Sequence, residues 1–158
     1  MNTNRTILLA TDGSPSAAEA QRQAFDLVKL TGAPLVVVSV SHVTLPAVGY
    51  SAYGYSEIVT ELTNAEHHRL DALLAAVTEA AEKEGIDCAT VEADGAIVEE
   101  ICRLAAEHDA QLVVVGSHGW GAARRFLSGS VSTGLVHSAP CPVLVVRASE
   151  SARQRAAA

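Results

Sequence analysis

A glycine-punctuated segment in the C-terminal half of the chain carries the residues best suited to chemistry. Gly116 and Gly119 are followed, after nine further residues, by Gly129 and Ser130. The segment leaves an apolar stretch and reaches a predicted helix start, where free backbone amides and the helix dipole favour an anion. Glycine lets the backbone approach such an anion closely and adopts positive φ where that is needed. The GxxG(x9)G[ST] spacing therefore predicts a phosphate site, to which Ser130 and Ser132 can add hydroxyl donors.

The chemistry expected of this segment is binding more than turnover. The short GxxG motif alone is equally typical of an ordinary turn, and only the full spacing favours phosphate binding. His118 either orders the turn or acts as a general base on a water molecule. The loop lacks the Lys-[ST] pair of a Walker A motif, which usually follows the terminal phosphate in phosphoryl transfer. Arg124 and Arg125 form the one adjacent basic pair in the sequence and face either the terminal phosphates or solvent.

A second group of candidate residues follows the first apolar stretch. Asp12 precedes Gly13 and Ser14, so its carboxylate is either a turn residue or an acceptor for the hydroxyls of a ribose. A carboxylate at this place could instead hold Mg²⁺ through water. Trp120 either covers a ligand or packs beneath the glycine loop, and packing is the simpler interpretation. Three tyrosines of the segment 42–56 could close over a ligand as a lid: Tyr50, Tyr53 and Tyr55.

Alternating strands and amphipathic helices must position these residues. Strands are predicted over residues 6–10, 35–40, 86–93, 112–115 and 143–146, and the third is the least hydrophobic, as is typical of a sheet edge. Helices are predicted from Pro15 to Gly32, from Glu57 to Gly85, from Asp94 or Gly95 onward, and from Gly129 or Ser130 to His137. The second helix is expected to bury six apolar residues: Leu62, Leu70, Leu73, Leu74, Val77 and Ala81. This order predicts the α/β class, with right-handed crossovers and a doubly wound five-stranded parallel sheet. Ligands of such sheets bind at the C-terminal ends of the strands, where the strand order reverses.

The composition is that of one folded domain. The chain has 158 residues, of which 49% are hydrophobic and 18% charged, so it can bury a sizeable core. We expect one domain over residues 1–148 and a mobile tail over residues 149–158, which contains no large apolar side chain. A net charge of −7 disfavours nucleic acid and anionic membranes as partners. The apolar runs are too short for a bilayer and the first residues lack a signal-peptide apolar region, so we expect a cytoplasmic location.

The cysteines and histidines indicate neither a disulfide framework nor a metal site. Cys88, Cys102 and Cys141 form no CxxC pair and leave one cysteine unpaired in any scheme, so reduced core thiols are expected. The six histidines include the neighbours His67 and His68 but no HxxxH spacing. We therefore expect no metal held by protein ligands alone.

Four segments of the chain together resemble the ATP-binding subgroup of the universal stress protein (UspA) family. They are ILLATDGS, DAQLVVVGSHG, SGSVS and HSAPCPVLVV, in the order in which the family has them. The resemblance covers nearly the whole chain and implies a Rossmann-like fold of the adenine nucleotide alpha hydrolase type, with strand order 3-2-1-4-5. It also implies ATP as ligand, possible association with Mg²⁺, and a homodimer formed through the Val143–Val146 strand, whose exposed edge needs cover.

The resemblance implies a role for individual positions. Asp12 matches the acidic residue on the adenosine side, and Val40 matches the apolar residue beside the base. The strand-four edge of the pocket corresponds to Val115 and Gly116, and the phosphate turn to Gly119. The phosphate cradle at the helix start corresponds to Gly129, Ser130 and Val131. Thr11 and Ser132 are expected to be neighbours of the ligand. His118 and Arg125 complete the set of predicted ATP-binding residues.

Three functions are compatible with these residues. The first is a nucleotide-dependent regulator of the stress response with little or no turnover. The second is a slow ATPase or phosphoryl-transfer enzyme that uses His118 with Arg124 or Arg125. The third is a dimeric interaction module without ligand, which the complete glycine loop disfavours. A dinucleotide oxidoreductase is disfavoured because no GxGxxG follows the first strand. The residues leave the choice among ATP, ADP, AMP and a cyclic nucleotide open.

Overall fold

The fold was analysed in a computed structural model that describes residues 5–41, 55–119 and 129–148. Within these residues the chain alternates strands and helices from β1 to β5. The strands are β1 (Thr6–Ala10), β2 (Leu35–Ser41), β3 (Cys88–Asp94), β4 (Ala110–Gly116) and β5 (Val143–Val146). The helices are α1 (Pro15–Thr31), α2 (Tyr55–Lys83), α3 (Ile97–Glu107) and α4 (Ser130–Ser138). The expected tail over 149–158 and most of the segment 42–56 lie outside the described residues.

The five strands form one parallel sheet in the order β3-β2-β1-β4-β5. The predicted doubly wound α/β architecture is therefore confirmed, with β3 at one edge and β5 at the other. The strand order reverses between β1 and β4, which pair directly. Ala10 is opposite Val38 in β2 and opposite Val115 in β4. The C-terminal ends of these three strands consequently lie side by side, where ligands of such sheets bind.

Local signals determine where α1 begins and ends. Ser14 is the N-cap, and its hydroxyl accepts a hydrogen bond from the amide of Ala17 at 3.3 Å. Pro15 occupies the first helical position, where a missing N–H costs nothing. At the other end, Gly32 adopts the left-handed conformation with φ 68° and donates its amide to Val28 O at 2.8 Å. The bounds predicted for α1 agree with these caps.

Other predicted bounds shift by a few residues. The helix α2 begins at Tyr55 instead of Glu57, and β4 begins at Ala110 instead of Leu112. The strand β3 begins at Cys88, because Ile86 belongs to the turn and donates its amide to Ala81 O at 2.9 Å. The helix α3 begins only at Ile97, and the preceding Gly95 forms a turn at φ 134°. These shifts occur at element ends, where the apolar pattern is weakest.

Two hydrophobic clusters cover the two faces of the sheet. Alternate residues of each strand point to opposite faces. Ile7 and Leu9 pack with α1 and α2, whereas Leu8 and Ala10 pack with α3 and α4. The central strands are thus buried on both faces, as their continuous apolar runs predicted. No helix in the described part of the chain is long and apolar enough to span a bilayer.

The prediction that α2 buries Leu62 is wrong. Leu62 is 41% exposed, and the buried stripe of this helix begins at Leu70 and continues through Leu74, Val77 and Ala81, with Leu73 half-buried. The helix has 29 residues and is about 43 Å long at its usual rise per residue. A strand of seven residues extends only about 23 Å. The sheet is therefore too short to cover both halves of α2.

Candidate functional site

A cleft lies at the C-terminal ends of β1, β2 and β4, where the strand order reverses. One group of lining residues is apolar and comprises Val38, Val40, Ile97, Ile101, Val115 and Val131. The other group is polar or small and comprises Thr11, Asp12, Ser14, Gly116, His118 and Gly119, with Ala10 and Ala17. The cleft can therefore accept a ligand that has both an apolar and a polar part.

The structure places most of the predicted site residues in this one cleft. Those that line it are Thr11, Asp12, Val40, Val115, Gly116, His118, Gly119 and Val131. Gly129, Ser130 and Ser132 are not among the lining residues, although they belong to the start of α4 near the same turn. Ser130 is exposed. Arg125, Arg124 and Trp120 lie outside the described residues, as do Tyr50 and Tyr53 and the side chain of Tyr55.

Asp12 has the turn role that the sequence offered, and its second carboxylate oxygen faces the glycine turn. Its Oδ1 accepts the amide of Ser14 at 2.9 Å, which is the turn geometry expected of an aspartate before glycine. A Cβ placed on Gly119 would lie 2.6 Å from the other oxygen, Oδ2, so the carboxylate also faces the glycine turn. The backbone carbonyl of Asp12 accepts Nη1 of Arg69 at 3.3 Å. The carboxylate is thus held at the cleft wall between β1 and the glycine turn.

Thr11 lies beside Asp12 but makes backbone-directed contacts. It is buried, and its Oγ1 accepts the amide of Gly13 at 3.3 Å. Its carbonyl accepts the hydroxyl of Ser39 at 2.8 Å. These bonds fix the end of β1 against β2 and thereby the position from which Asp12 projects.

The turn that leaves β4 is held by β5 and by the start of α4. The amide of Ser117 donates to Val146 O of β5 at 2.7 Å, and the carbonyl of Ser117 accepts the amide of Gly129 at 2.7 Å. The hydroxyl of Ser132 also donates to Ser117 O at 3.3 Å and to Gly129 O at 3.0 Å, so it contacts backbone carbonyls. Because Ser117 contacts Gly129 directly, the two ends of the glycine loop lie together.

The glycines of the turn are required by close contacts. Gly116 and Gly119 are not among the described glycines with positive φ, which are Gly13, Gly32, Gly85 and Gly95. A Cβ on Gly116 would lie 2.7 Å from the amide nitrogen of Ala17, so β4 and the start of α1 are in direct backbone contact. A Cβ on Gly129 would lie 2.9 Å from Ser117 O. The close neighbour at Gly116 is therefore α1, and the approach of these glycines to a phosphate stays a prediction.

His118 makes contacts that order the turn. Its Nδ1 lies 2.9 Å from the hydroxyl of Ser117. The backbone carbonyl of His118 accepts the hydroxyl of Ser14 at 3.0 Å and also that of Ser16. The amide of His118 donates to the Oγ of Ser16 at 3.2 Å. The backbone carbonyl and the backbone amide of His118 are thus both hydrogen-bonded to the start of α1.

Sequence reasoning missed several residues of the site. Neither Ser14 nor Ser16 is among the predicted site residues, although Ser14 lines the cleft. Ile97 and Ile101 of α3 also line the cleft and are not among the predicted site residues. A general signal existed for Ile97, because the first turn of a helix that follows a parallel strand lies at the ligand-binding edge of the sheet.

The charged groups near the cleft are paired. Arg69 forms two hydrogen bonds with Glu66, at 2.9 and 2.8 Å, and this contact raises the pKa of Arg69 and lowers the pKa of the Glu66 carboxyl. Between these two residues in α2 lies His67, and the carboxylate of Glu92 in β3 raises the pKa of His67 through a hydrogen bond between them. Within the residues described, no group of three or more His, Cys, Asp or Glu is placed to hold a metal ion.

The cysteines are free and lie away from the lining of the cleft. Cys88, Cys102 and Cys141 are each half-buried and pack against the two hydrophobic clusters. Burial raises the pKa of all three thiols. Neutral thiols are poor nucleophiles, so these residues act as small apolar side chains.

A doubly wound parallel sheet with a ligand cleft at its switch point defines the class of Rossmann-like α/β proteins. Residues 3–147 match the family model described as the universal stress protein family. A universal stress protein of Methanocaldococcus jannaschii is 34% identical over 146 residues, which cover 92% of this chain and 84% of that protein. The chain therefore belongs to the universal stress protein family.

Solved structures of the family have the same fold. The universal stress protein UspA from Lactobacillus plantarum superposes with a TM-score of 0.77 at 23% identity, covering 91% of this chain and 98% of that one. A universal stress protein solved in complex with cAMP superposes with a TM-score of 0.68 at 25% identity, covering 92% of this chain and 98% of that one. These likenesses extend over nearly the whole described fold.

Proposed function

We propose that this protein binds ATP in the cleft and acts in the cytoplasm as a nucleotide-dependent regulator of the stress response, with little or no turnover. The observation that carries the proposal is the convergence of Val40, Asp12 and Gly119 on one cleft, although Val40 lies in β2, Asp12 follows β1 and Gly119 follows β4. Each has the chemistry that one part of a nucleotide requires.

The order of residues across the cleft suits the parts of a nucleotide. The apolar group, with Val38, Val40 and Ile101, offers a surface on which a base can pack. Asp12 offers a carboxylate to ribose hydroxyls, or to a Mg²⁺ ion held through water. The amide of Gly119 and the first amides of α4 are the backbone groups proposed to contact phosphates. The family member solved with cAMP supports an adenine nucleotide in a cleft of this fold.

Little turnover is expected because the glycine loop lacks the Lys-[ST] pair of a Walker A motif. Among the described lining residues there is neither lysine nor arginine, whereas phosphoryl transfer depends on cations that neutralise the developing charge. A slow ATPase remains the second candidate, since His118 lines the cleft. Phosphate release by wild type and by a His118→Ala variant separates the two. Release that depends on His118 would contradict the regulatory proposal.

The proposal is tested by mass analysis of any nucleotide that co-purifies, followed by calorimetric titration with ATP, ADP, AMP and cAMP, with and without Mg²⁺. Gly119→Val should abolish binding, because the added side chain projects against Asp12 and blocks the turn. Leu30→Ala, at an exposed position of α1 that does not line the cleft, is the control. Failure of the wild-type protein to bind any of these nucleotides at millimolar concentration would overturn the proposal.

We further propose a homodimer that forms through β5. This strand is at the edge of the sheet, and Val143, Leu144 and Val145 are only half-buried. An apolar edge strand favours pairing with a second copy. Light scattering at micromolar concentration should give twice the chain mass, and Val145→Lys should reduce it to one chain. A wild-type monomer under these conditions would refute the dimer and leave the nucleotide site unaffected.

A further inference from the structure

Two serine hydroxyls at the start of α1 converge on one backbone carbonyl in the glycine turn. Ser14 Oγ and Ser16 Oγ both donate to His118 O, at 3.0 Å for Ser14. Both serines are buried, with exposures of 1% and 4%. A hydroxyl has one donor hydrogen and two acceptor positions. Ser16 accepts the amide of His118 and Ser14 accepts the amide of Ala17, so both hydroxyls are used as donor and acceptor.

This arrangement determines the direction of the next amide. A trans peptide group is planar, so its C=O and its N–H point in opposite directions. The carbonyl of His118 is held toward Ser14 and Ser16 by two hydrogen bonds. The N–H of Gly119, which belongs to the same peptide group, must therefore point to the side opposite the serines. Gly119 itself lines the cleft.

We propose that Ser14 and Ser16 are positioning residues that aim the Gly119 amide at an anionic group of the ligand. The serines need not touch the ligand for this role. The other contacts of the turn fix its position, because Ser117 is bound to β5 and to the start of α4. The serine pair holds the carbonyl of the His118–Gly119 peptide group directly, so the orientation of that group depends on it.

The inference rests on the proposed function and gives it a specific mechanism for phosphate recognition. It implies that the serine pair contributes to affinity only when the ligand carries a phosphate. Adenosine, which has the base and ribose but no phosphate, should bind independently of the pair. The ratio of ATP affinity to adenosine affinity therefore separates an aimed amide from a general loss of structure.

The experiment compares Ser16→Ala with Ser39→Ala as a matched control. Ser39 is also a buried serine whose hydroxyl donates to a backbone carbonyl, that of Thr11, at the same edge of the sheet. Titrations of wild type and both variants are made with ATP, AMP and adenosine. Ser16→Ala should weaken ATP and AMP by about fivefold, the effect of losing one hydrogen bond, and leave adenosine unchanged. Ser39→Ala should leave the ratio of ATP to adenosine affinity as in wild type.

Each outcome decides a different claim. Equal weakening of ATP and adenosine by Ser16→Ala, or no weakening of either, would overturn the positioning role while the nucleotide site stands. Absence of nucleotide binding by wild type would overturn both proposals. Should Ser16→Ala fail to fold, Ser16→Cys keeps the size of the side chain with a weaker donor and should give a smaller loss for ATP alone. The amide signal of Gly119 in the NMR spectrum of the ligand-free variant should also shift, and an unchanged signal would contradict the proposal.

Discussion

Gly116 and Gly119 stand at the two ends of the same turn, but different neighbours restrict them. At Gly116 an added Cβ would meet the backbone of α1, with Ala17 N at 2.7 Å and Ser16 C at 2.8 Å. At Gly119 it would meet only the carboxylate of Asp12, at 2.6 Å. A backbone inside a packed core cannot give way, whereas a carboxylate at a cleft wall can rotate. The first glycine is therefore required by the fold and the second by the site.

This difference shows why a binding motif cannot be interpreted from its spacing alone. Both glycines belong to the pattern that predicts phosphate binding, and loss of either should weaken binding. Loss of Gly116 would do so because the sheet and α1 no longer pack. Only loss of Gly119 would report on the ligand. The two effects are separable by measuring stability and affinity on the same variants.

Gly116→Ala should have the largest effect on stability. Overpacking of a tight core typically costs 1–3 kcal/mol, and a clash with backbone atoms belongs near the upper end, so we expect a loss of about 3 kcal/mol. Urea unfolding monitored by circular dichroism measures it. A variant as stable as wild type would show that α1 and β4 can separate, and Gly116 would then not be required by the fold.

Gly119→Ala should leave stability within about 0.5 kcal/mol of wild type, as is usual for substitutions away from the core. Its ATP affinity should fall about tenfold, or about 1.4 kcal/mol, because the methyl group displaces the Asp12 carboxylate. The double variant with Asp12→Ala tests this cause. Since the clash then has no partner, the two losses should be less than additive. Full additivity of the two affinity losses would exclude the Asp12 contact as the reason.

The parts of the fold that could be predicted from the sequence are those with local signals. Ser14, Pro15 and Gly32 determine the ends of α1 through neighbouring atoms, and β5 is an uninterrupted run of apolar residues. The burial of α2 could not be predicted as well, because the length of the sheet beneath it is not a local property. The role of Ser16 was missed for the same reason, since its partner His118 is 102 positions away in the sequence.

Arg69→Ala tests whether a residue that does not line the cleft helps to hold Asp12 in place. Arg69 donates to Asp12 O at 3.3 Å, so its loss should weaken ATP binding about threefold, corresponding to one partly exposed hydrogen bond. Arg103→Ala is a matched control, because Arg103 is bound to Glu100 as Arg69 is bound to Glu66, with the same spacing. Arg103 makes no described contact with the cleft. Equal effects of the two variants on ATP affinity would place Arg69 outside the site.

The smallest effect is expected at His67, which joins α2 to the edge strand β3 and should affect stability without affecting affinity. Its hydrogen bond to Glu92 raises the pKa of His67, and Asp94 and Asp71 act in the same direction. A raised folded-state pKa means that the contribution to stability is complete below the unfolded value of about 6.5 and is lost as pH rises through the folded value. The urea midpoint of wild type should therefore exceed that of His67→Gln at pH 5.5, and the difference should shrink toward pH 8.5.

The control for His67 is His68→Gln, which removes an exposed imidazole from the next position of the same helix. This variant should keep the pH dependence of wild type, whereas Glu92→Gln should lose it as His67→Gln does. ATP affinity should be equal in all of these proteins, because neither His67 nor Glu92 lines the cleft. A change in ATP affinity at His67 would show that α2 transmits strain from the edge of the sheet to Asp12 through Arg69. Outside the glycine turn, residues that stabilise the fold would then also affect ATP affinity.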